Sequence, residues 1–475
     1  MAGCGVIERE TGRWVTGGVL ALVAAVAVST GCTEAEPLAF RNDPKIDTLY
    51  QPAAEALTVQ MDAAFGQPLE PVVWEALPAR LHTAMGEVAQ EDDDTPTRLE
   101  LDLEYQTGDI QPGDDLVFTL GEHVGAVRKV VDYDAEEEIL EIDQPLPAEV
   151  DGEMVAIGAG SVMRHARPLY ARHCQHCHGV SGDGNGPTAW SMDPKPRDFR
   201  QGKFKYTSTR TFYKPSRADL MRTLDEGIAG TYMPSFKLMS DEDKAALTEY
   251  VIWLSNRGEV EDRAVTVLGD DFGADVVEEA EADGELEDLA EDWADYAEDF
   301  PEEFADWGSA IASKWNLSEK SRSVILPEAA RVPMSPESIA RGRAIYLSDS
   351  AKCASCHGET GAGNGPQTLA FQRADDGDGY NDRPGLHDDW GHPIAPRNLL
   401  TGVYRGGRRP VDLYRRIYSG INGSKMPGFG SSLTDEQIWD VVNYVYAVGE
   451  NPAAGRDDAS DPEATPDNVP KVAAR

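Results

Sequence analysis

Two stretches of this chain are near copies of one another, and nothing else in it limits the fold so tightly. His173–Pro187 reads HCQHCHGVSGDGNGP and Lys352–Pro366 reads KCASCHGETGAGNGP. Each sets two cysteines three residues apart, with a histidine directly after the second. A short helix-like run precedes each pair (ARPLYARHC; SIARGRAIYL), and a Gly-x-Gly-Asn-Gly-Pro loop follows it. Then come Pro-Arg steps at Pro196 and Pro396, and two segments that align without a gap from Asp219 to Pro234 and from Asp412 to Pro427. Each unit closes on an amphipathic run, the second opened by a capping-box pair, Thr434 and Gln437. Recurrence of so many landmarks in one order marks a single supersecondary unit used twice. Residues 161–258 and 335–450 are therefore read as two mainly helical domains.

The cysteine pairs admit zinc, a dithiol or disulfide, or a covalent cofactor. Zinc needs four ligands, and each repeat brings two thiols and one adjacent imidazole. A redox dithiol does not require a histidine after its second cysteine. Cys-x-x-Cys-His is the attachment pattern of c-type haem. Two thiols at that spacing meet the two vinyl groups of one porphyrin, and the next residue aims its imidazole at the iron. The expectation is two covalently bound haems, one on Cys174 and Cys177, the other on Cys353 and Cys356, with His178 and His357 as proximal ligands. Met233 in TYMPSF and Met426 in SKMPGF stand at equivalent places ahead of the closing helices. A soft thioether there favours ferrous iron and raises the reduction potential. His173 and His176 flank the first motif and are expected to face solvent. His387 and His392, in an insertion peculiar to the second repeat, are the competing iron ligands.

The remaining cysteines, Cys4 and Cys32, lie near the N-terminus. After Arg9 and Arg13 the apolar run Trp14–Cys32 has signal-peptide length. Ser29-Thr30-Gly31-Cys32 resembles a lipoprotein cleavage box but has serine where an aliphatic residue is usual. Residues 1–32 are thus read as an export signal with Cys32 as a lipid anchor. Residues 33–95 are expected to form a tether and short helices, because apolar positions recur at three and four. Residues 96–160 alternate in short β-rich runs between Gly, Pro and Asp turns, which predicts a small antiparallel sheet or barrel. The stretch 259–334 is an acidic connector, helical or disordered. Between Glu259 and Asp306 it holds 21 acidic residues and one basic one. Leu286, Leu289, Trp293, Tyr296, Phe300, Phe304 and Trp307 nonetheless follow a helical stripe, interrupted by Pro301. Residues 451–475 read as a disordered tail.

With a formal net charge of -41, the surface repels nucleic acid and anionic lipid and suits a partner with a basic docking face. No Ser/His/Asp grouping, phosphate loop or nucleotide fingerprint is present. Each repeat resembles a class I cytochrome c domain, and the pair resembles the tandem di-haem cytochromes c of bacterial respiratory chains, over about 210 of 475 residues. In that family a loop proline carbonyl accepts a hydrogen bond from the proximal histidine. The resemblance assigns this role to Pro187 and Pro366, and it makes Arg197 and Arg397 partners of haem propionates. It implies a single-electron carrier on the outer side of the cytoplasmic membrane, serving redox proteins or a respiratory complex. The alternatives are a di-haem peroxidase or thiosulfate-oxidising enzyme, or a cytochrome subunit docked in a larger assembly.

Overall fold

The computed structural model describes residues 38–455 except 75, 90–96, 147–149 and 374–378. The export signal and Cys32 lie outside the described residues, as does the tail from residue 456. Among the described residues, no helix is long and apolar enough to cross a membrane.

The chain opens with helix α1 (Gln51–Phe65) and a small hairpin, β1 (Gly66–Gln67) and β2 (Glu70–Pro71). A closed antiparallel barrel follows, made of β3 (Ala84–Val88), β4 (Arg98–Gln106), β5 (Asp115–Leu120), β6 (Val127–Asp134), β7 (Ile139–Ile142) and β8 (Met154–Ile157). Its strand order is β3-β4-β7-β6-β5-β8, and β8 pairs back onto β3. Alternation does the sorting, for Leu99, Leu101, Leu116, Phe118, Leu140 and Val155 all point inward. The barrel begins before the expected boundary at residue 96. Ala84–Val88 falls within the expected helical tether, yet it is the strand that closes the cylinder. Gly86 permits this, because a Cβ there would sit 2.3 Å from the Asp102 carbonyl oxygen. Local apolar spacing could not reveal that strand, since its pairing partners lie far along the chain.

The first repeat contains α2 (Ser161–His173), α3 (Gln175–His178), α4 (Arg217–Glu226) and the start of the long helix α5 (Asp241–Phe272). No break falls at residue 258: α5 continues into the acidic region, followed by α6 (Ala274–Asp283) and α7 (Leu286–Ser318). The aromatic stripe of α7 is core. Trp293, Phe300, Phe304, Trp307 and Trp315 are buried with α1 and α5 in one cluster. Pro301 lies inside α7, which runs on through it. The charged residues of the connector thus occupy the outer face of a helical layer packed onto the first repeat.

The second repeat consists of α8 (Pro336–Leu347), α9 (Cys353–His357), α10 (Pro410–Ser419) and α11 (Asp435–Glu450), with a hairpin, β9 (Leu386–His387) and β10 (Pro393–Ile394), in its insertion. Its core is a separate cluster. The expected capping box forms: Thr434 accepts from the Gln437 N–H, and the Gln437 side chain accepts from the Thr434 N–H. In both repeats the helix before the cysteines packs on the closing helix, α2 on α5 and α8 on α11. The contact is marked by matching aromatic pairs, Tyr170–Tyr250 and Tyr346–Tyr444, with ring centroids 4.9 and 5.1 Å apart.

Candidate functional site

The cysteines sit on short helical turns whose polar groups are returned to the chain in the same way twice. Tyr170 donates through its hydroxyl to the Gly179 carbonyl at 2.9 Å, and Tyr346 to the Gly358 carbonyl at 2.6 Å. The glycine loop then folds back on each motif. Gly184 N–H donates to the His178 carbonyl at 2.9 Å and Gly363 N–H to the His357 carbonyl at 2.7 Å. Both glycines have positive φ, +72° and +79°. A Cβ would meet the Pro196 carbonyl oxygen at 2.7 Å in one and the Pro396 carbonyl oxygen at 2.6 Å in the other. Only glycine satisfies both conditions.

That close approach explains the Pro-Arg steps. His178 Nδ1 lies 3.0 Å from the Arg197 carbonyl oxygen, and His357 Nδ1 lies 3.0 Å from the Arg397 carbonyl oxygen. A carbonyl only accepts, so each ring carries its proton on Nδ1 and leaves the Nε2 lone pair free for a metal. These bonds correct the role assigned to Pro187 and Pro366. Both prolines are exposed. The loop carrying the first is held to the motif instead, through the Gly186 N–H to Cys177 and the Thr188 N–H to His176. The shared Pro-Arg pair is the sequence signal for the true acceptor, which is the arginine's carbonyl rather than its side chain.

Electrostatics suit ligation. Burial pulls the His178 pKa down to about 4, helped by the charges of Arg197 and His176 and opposed by the bond to the Arg197 carbonyl. The His357 pKa is lowered too, again by burial. Both imidazoles are therefore neutral at ordinary pH. Burial, with Cys177 adding, pushes the Cys174 thiol up to about 12; burial pushes Cys353 up to about 11. Thiols so protonated are poor exchange nucleophiles, so Cys174 and Cys353 are not activated as a redox dithiol would require. All four are free rather than paired as disulfides. Among the described residues no group of three or more His, Cys, Asp or Glu side chains is placed to hold a metal ion.

The methionines arrive by one turn used twice. Ile228 N–H donates to the Met233 carbonyl and Ile421 N–H to the Met426 carbonyl, both at 3.1 Å. The Met233 N–H donates to Thr231 Oγ1 and the Met426 N–H to Ser424 Oγ, so a hydroxyl two residues back braces each. In the first repeat Cys174, Cys177, His178 and Met233 all line one cavity of about 480 Å³, together with Phe199, Phe204, Leu220 and Leu224. That volume falls within the range of cofactor sites. Phe199 stacks on His178 with centroids 4.5 Å apart. In the second repeat Cys353 and Met426 pack against one core cluster. Thiols, imidazole and thioether around an apolar cavity fit a covalently held haem.

The other histidines do not join these sites in the same way. His173 and His176 border the first cavity, His176 exposed and His173 edge-on to Phe236. His387 is buried beside the Gly385 carbonyl, and His392 lies 3.6 Å from Asp388.

Sequence reasoning missed the junction between the repeats. The tip of the insertion reaches the first repeat, where Lys203 pairs with Asp389 at 3.2 Å and Lys205 with Asp388 at 3.8 Å. The Arg197 guanidinium lies 4.0 Å over the ring of Trp390. Arg197 borders Gly423 in the methionine turn of the second repeat, while Arg397 borders Gly230 in that of the first. Arg222 of α4 pairs with Asp412 of α10 at 2.7 Å. Burial draws the pKa of Lys205 down to about 8 and those of Arg197 and Arg416 to about 10.

Attachment thiols, a carbonyl-oriented imidazole and a methionine turn are together the parts of a c-type haem site. The comparison with known families agrees. The family described as cytochrome C oxidase, cbb3-type, subunit III matches residues 161–251 and 337–445, one segment in each repeat and less than half of the chain in all. The chain is similar to that family over both segments, a likeness that supports a c-type cytochrome with covalently bound haem. Among solved structures, a chain of the reducing HAO-like protein complex of Kuenenia stuttgartiensis matches at 22% identity, over 60% of this chain and 95% of that one, with a TM-score of 0.41. No curated protein matches significantly.

Proposed function

We propose that the chain is a di-haem c-type cytochrome, two class I domains in tandem, that carries single electrons between a respiratory donor and an acceptor. In this reading it is exported, works on the periplasmic side of the cytoplasmic membrane, and is anchored through its N-terminus, with Cys32 as lipid site. It is an electron-transfer protein rather than an enzyme. The observation that carries the reading is the two-fold repetition of one ligand frame: the same Nδ1–carbonyl bond, the same glycine clamp and the same methionine turn. A bound haem supplies a reversible one-electron change at its iron. The protein's residues do the rest. Cys174, Cys177, Cys353 and Cys356 would hold the porphyrins, and His178 and His357 are aimed by main-chain carbonyls. Met233 and Met426 would supply the second ligand to each iron, which would leave no place for a substrate. A second reading, a cytochrome subunit docked in a larger respiratory assembly, is favoured by the description of the matched family as an oxidase subunit. It is compatible with the first.

The test is a visible and near-infrared spectrum of the oxidised protein, scored for the methionine-to-iron charge-transfer band, with a haem assay per chain. Met233→Ala and Met426→Ala are each expected to lose about half of the band. One methionine-ligated haem beside a high-spin or bis-histidine haem would sink the carrier reading at that site and point to peroxide or sulfur substrates.

A further inference from the structure

The junction between the repeats carries positive charge that its acids do not balance. Arg405 belongs to the second repeat, yet it lines the cavity of the first, beside Arg197, Lys195 and Lys205. Its Nε is buried without a hydrogen-bond partner. Its link to the first repeat is a long contact of 3.5 Å from Nη2 to the Gly230 carbonyl. A buried guanidinium N–H left in that state is costly, and a guanidinium fork matches the geometry of a carboxylate.

The acids at hand are committed elsewhere. Asp219, on the same cavity wall, accepts from the Ser208 and Ser216 N–H groups and lies 3.5 Å from Arg222. Asp388 and Asp389 face Lys205 and Lys203. Lys195 gives its protons to the Ala189 and Trp190 carbonyls. Arg197 lies flat on Trp390. What is missing at Arg405 is an anion reached from inside the cavity of the first repeat.

We propose that Arg405 of the second repeat holds a propionate carboxylate of the haem seated in the first repeat, so that the first site is completed by the second. The inference rests on the two-haem reading above. It makes Arg405 a positioning residue that reaches across the junction, in the direction opposite to the packing of Arg197 on Trp390. With the contact in place, loss of a nearby cation favours the more positive ferric form and lowers that haem's potential; without it, the potential of the first repeat stays where it is.

The experiment is a spectroelectrochemical titration of the intact holo-protein, comparing wild type, Arg405→Gln, Arg405→Lys and the exposed Arg408→Gln. Met233→His marks the wave of the first repeat, because exchanging methionine for histidine lowers the potential of that haem alone. Arg405→Gln is expected to move the first-repeat wave to lower potential and leave the second in place. Arg405→Lys should restore most of the shift, and Arg408→Gln should move neither wave. No movement in Arg405→Gln overturns the inference, and so does an equal shift of both waves or a shift of the second alone. A haem content of one per chain overturns the two-haem reading itself, and the inference falls with it.

Discussion

At the scale of single residues, each candidate iron site depends on contacts that hold a backbone carbonyl in place. Gly184 and Gly363 let the loop pass against the Pro-Arg step that orients His178 and His357. Gly184→Ala adds a Cβ at positive φ against a carbonyl oxygen. It should cost at least ~1–2 kcal/mol of stability, measured by denaturant unfolding of the holo-protein. It should also perturb the first haem's spectrum, because the histidine loses its fixed acceptor. The hydroxyls of Tyr170 and Tyr346 each satisfy a carbonyl in the same neighbourhood. Tyr170→Phe and Tyr346→Phe should each cost about 1 kcal/mol. Being in separate cores, the two losses should add. A double variant much less or much more stable than the sum would mean the repeats do not respond independently.

At the scale of elements, α7 and the α4–α10 junction decide how the repeats are held. Trp315 is fully buried in α7 and donates through Nε1 to Glu259 at 2.9 Å. Trp315→Ala should destabilise the first repeat by roughly 3–5 kcal/mol, whereas Leu286→Ala, at an exposed end of the same helix, should cost little. An inert Trp315→Ala would show that the acidic helices are an appendage rather than core. Asp412 joins α10 to α4. Burial raises its pKa, but the hydrogen bond from Arg409 and the charges of Arg222, Arg409 and Arg416 outweigh burial and leave it below the usual value. A carboxylate with a lowered folded pKa gives stability that is full above its unfolded value near 4 and is lost as pH falls through the folded value. Unfolding of wild type should therefore lose more stability below pH 4 than Asp412→Asn does. Parallel curves for the two proteins would rule the contact out as a contributor.

For the whole molecule, charge governs encounter. The acidic side chains of α6 and α7 lie on the outer face of the helical layer, in a chain of net charge -41. Electron exchange with a basic redox protein should slow steeply as ionic strength rises from ~10 mM to ~150 mM, where the screening length shrinks from ~30 Å to ~8 Å. A stopped-flow rate independent of salt would mean that the charge serves solubility alone. The internal junction has the opposite character. Its cations Arg197, Lys205, Arg405 and Arg416 gather between the two repeats, away from the acidic exterior.

Sequence alone determined what depends on local spacing. Thiols three residues apart with a histidine after them, methionines in matching turns, the capping box at Thr434 and the α7 stripe were all legible, because a helix or a tight loop fixes which neighbours meet within a few residues. Alternation revealed the barrel strands from Arg98 onward, but not Ala84–Val88. Everything requiring distant segments to meet was left to the tertiary structure. It decided which carbonyl holds each histidine, since His357 and Arg397 are forty positions apart and only the glycine clamp brings them together. It placed the second repeat's Trp390 and Arg405 against the first repeat, because a repeat pattern describes each unit and says nothing of how two units pack. The physical reason is the range of the forces: backbone geometry acts over a turn, whereas burial and charge pairing act between whatever surfaces the completed fold presses together.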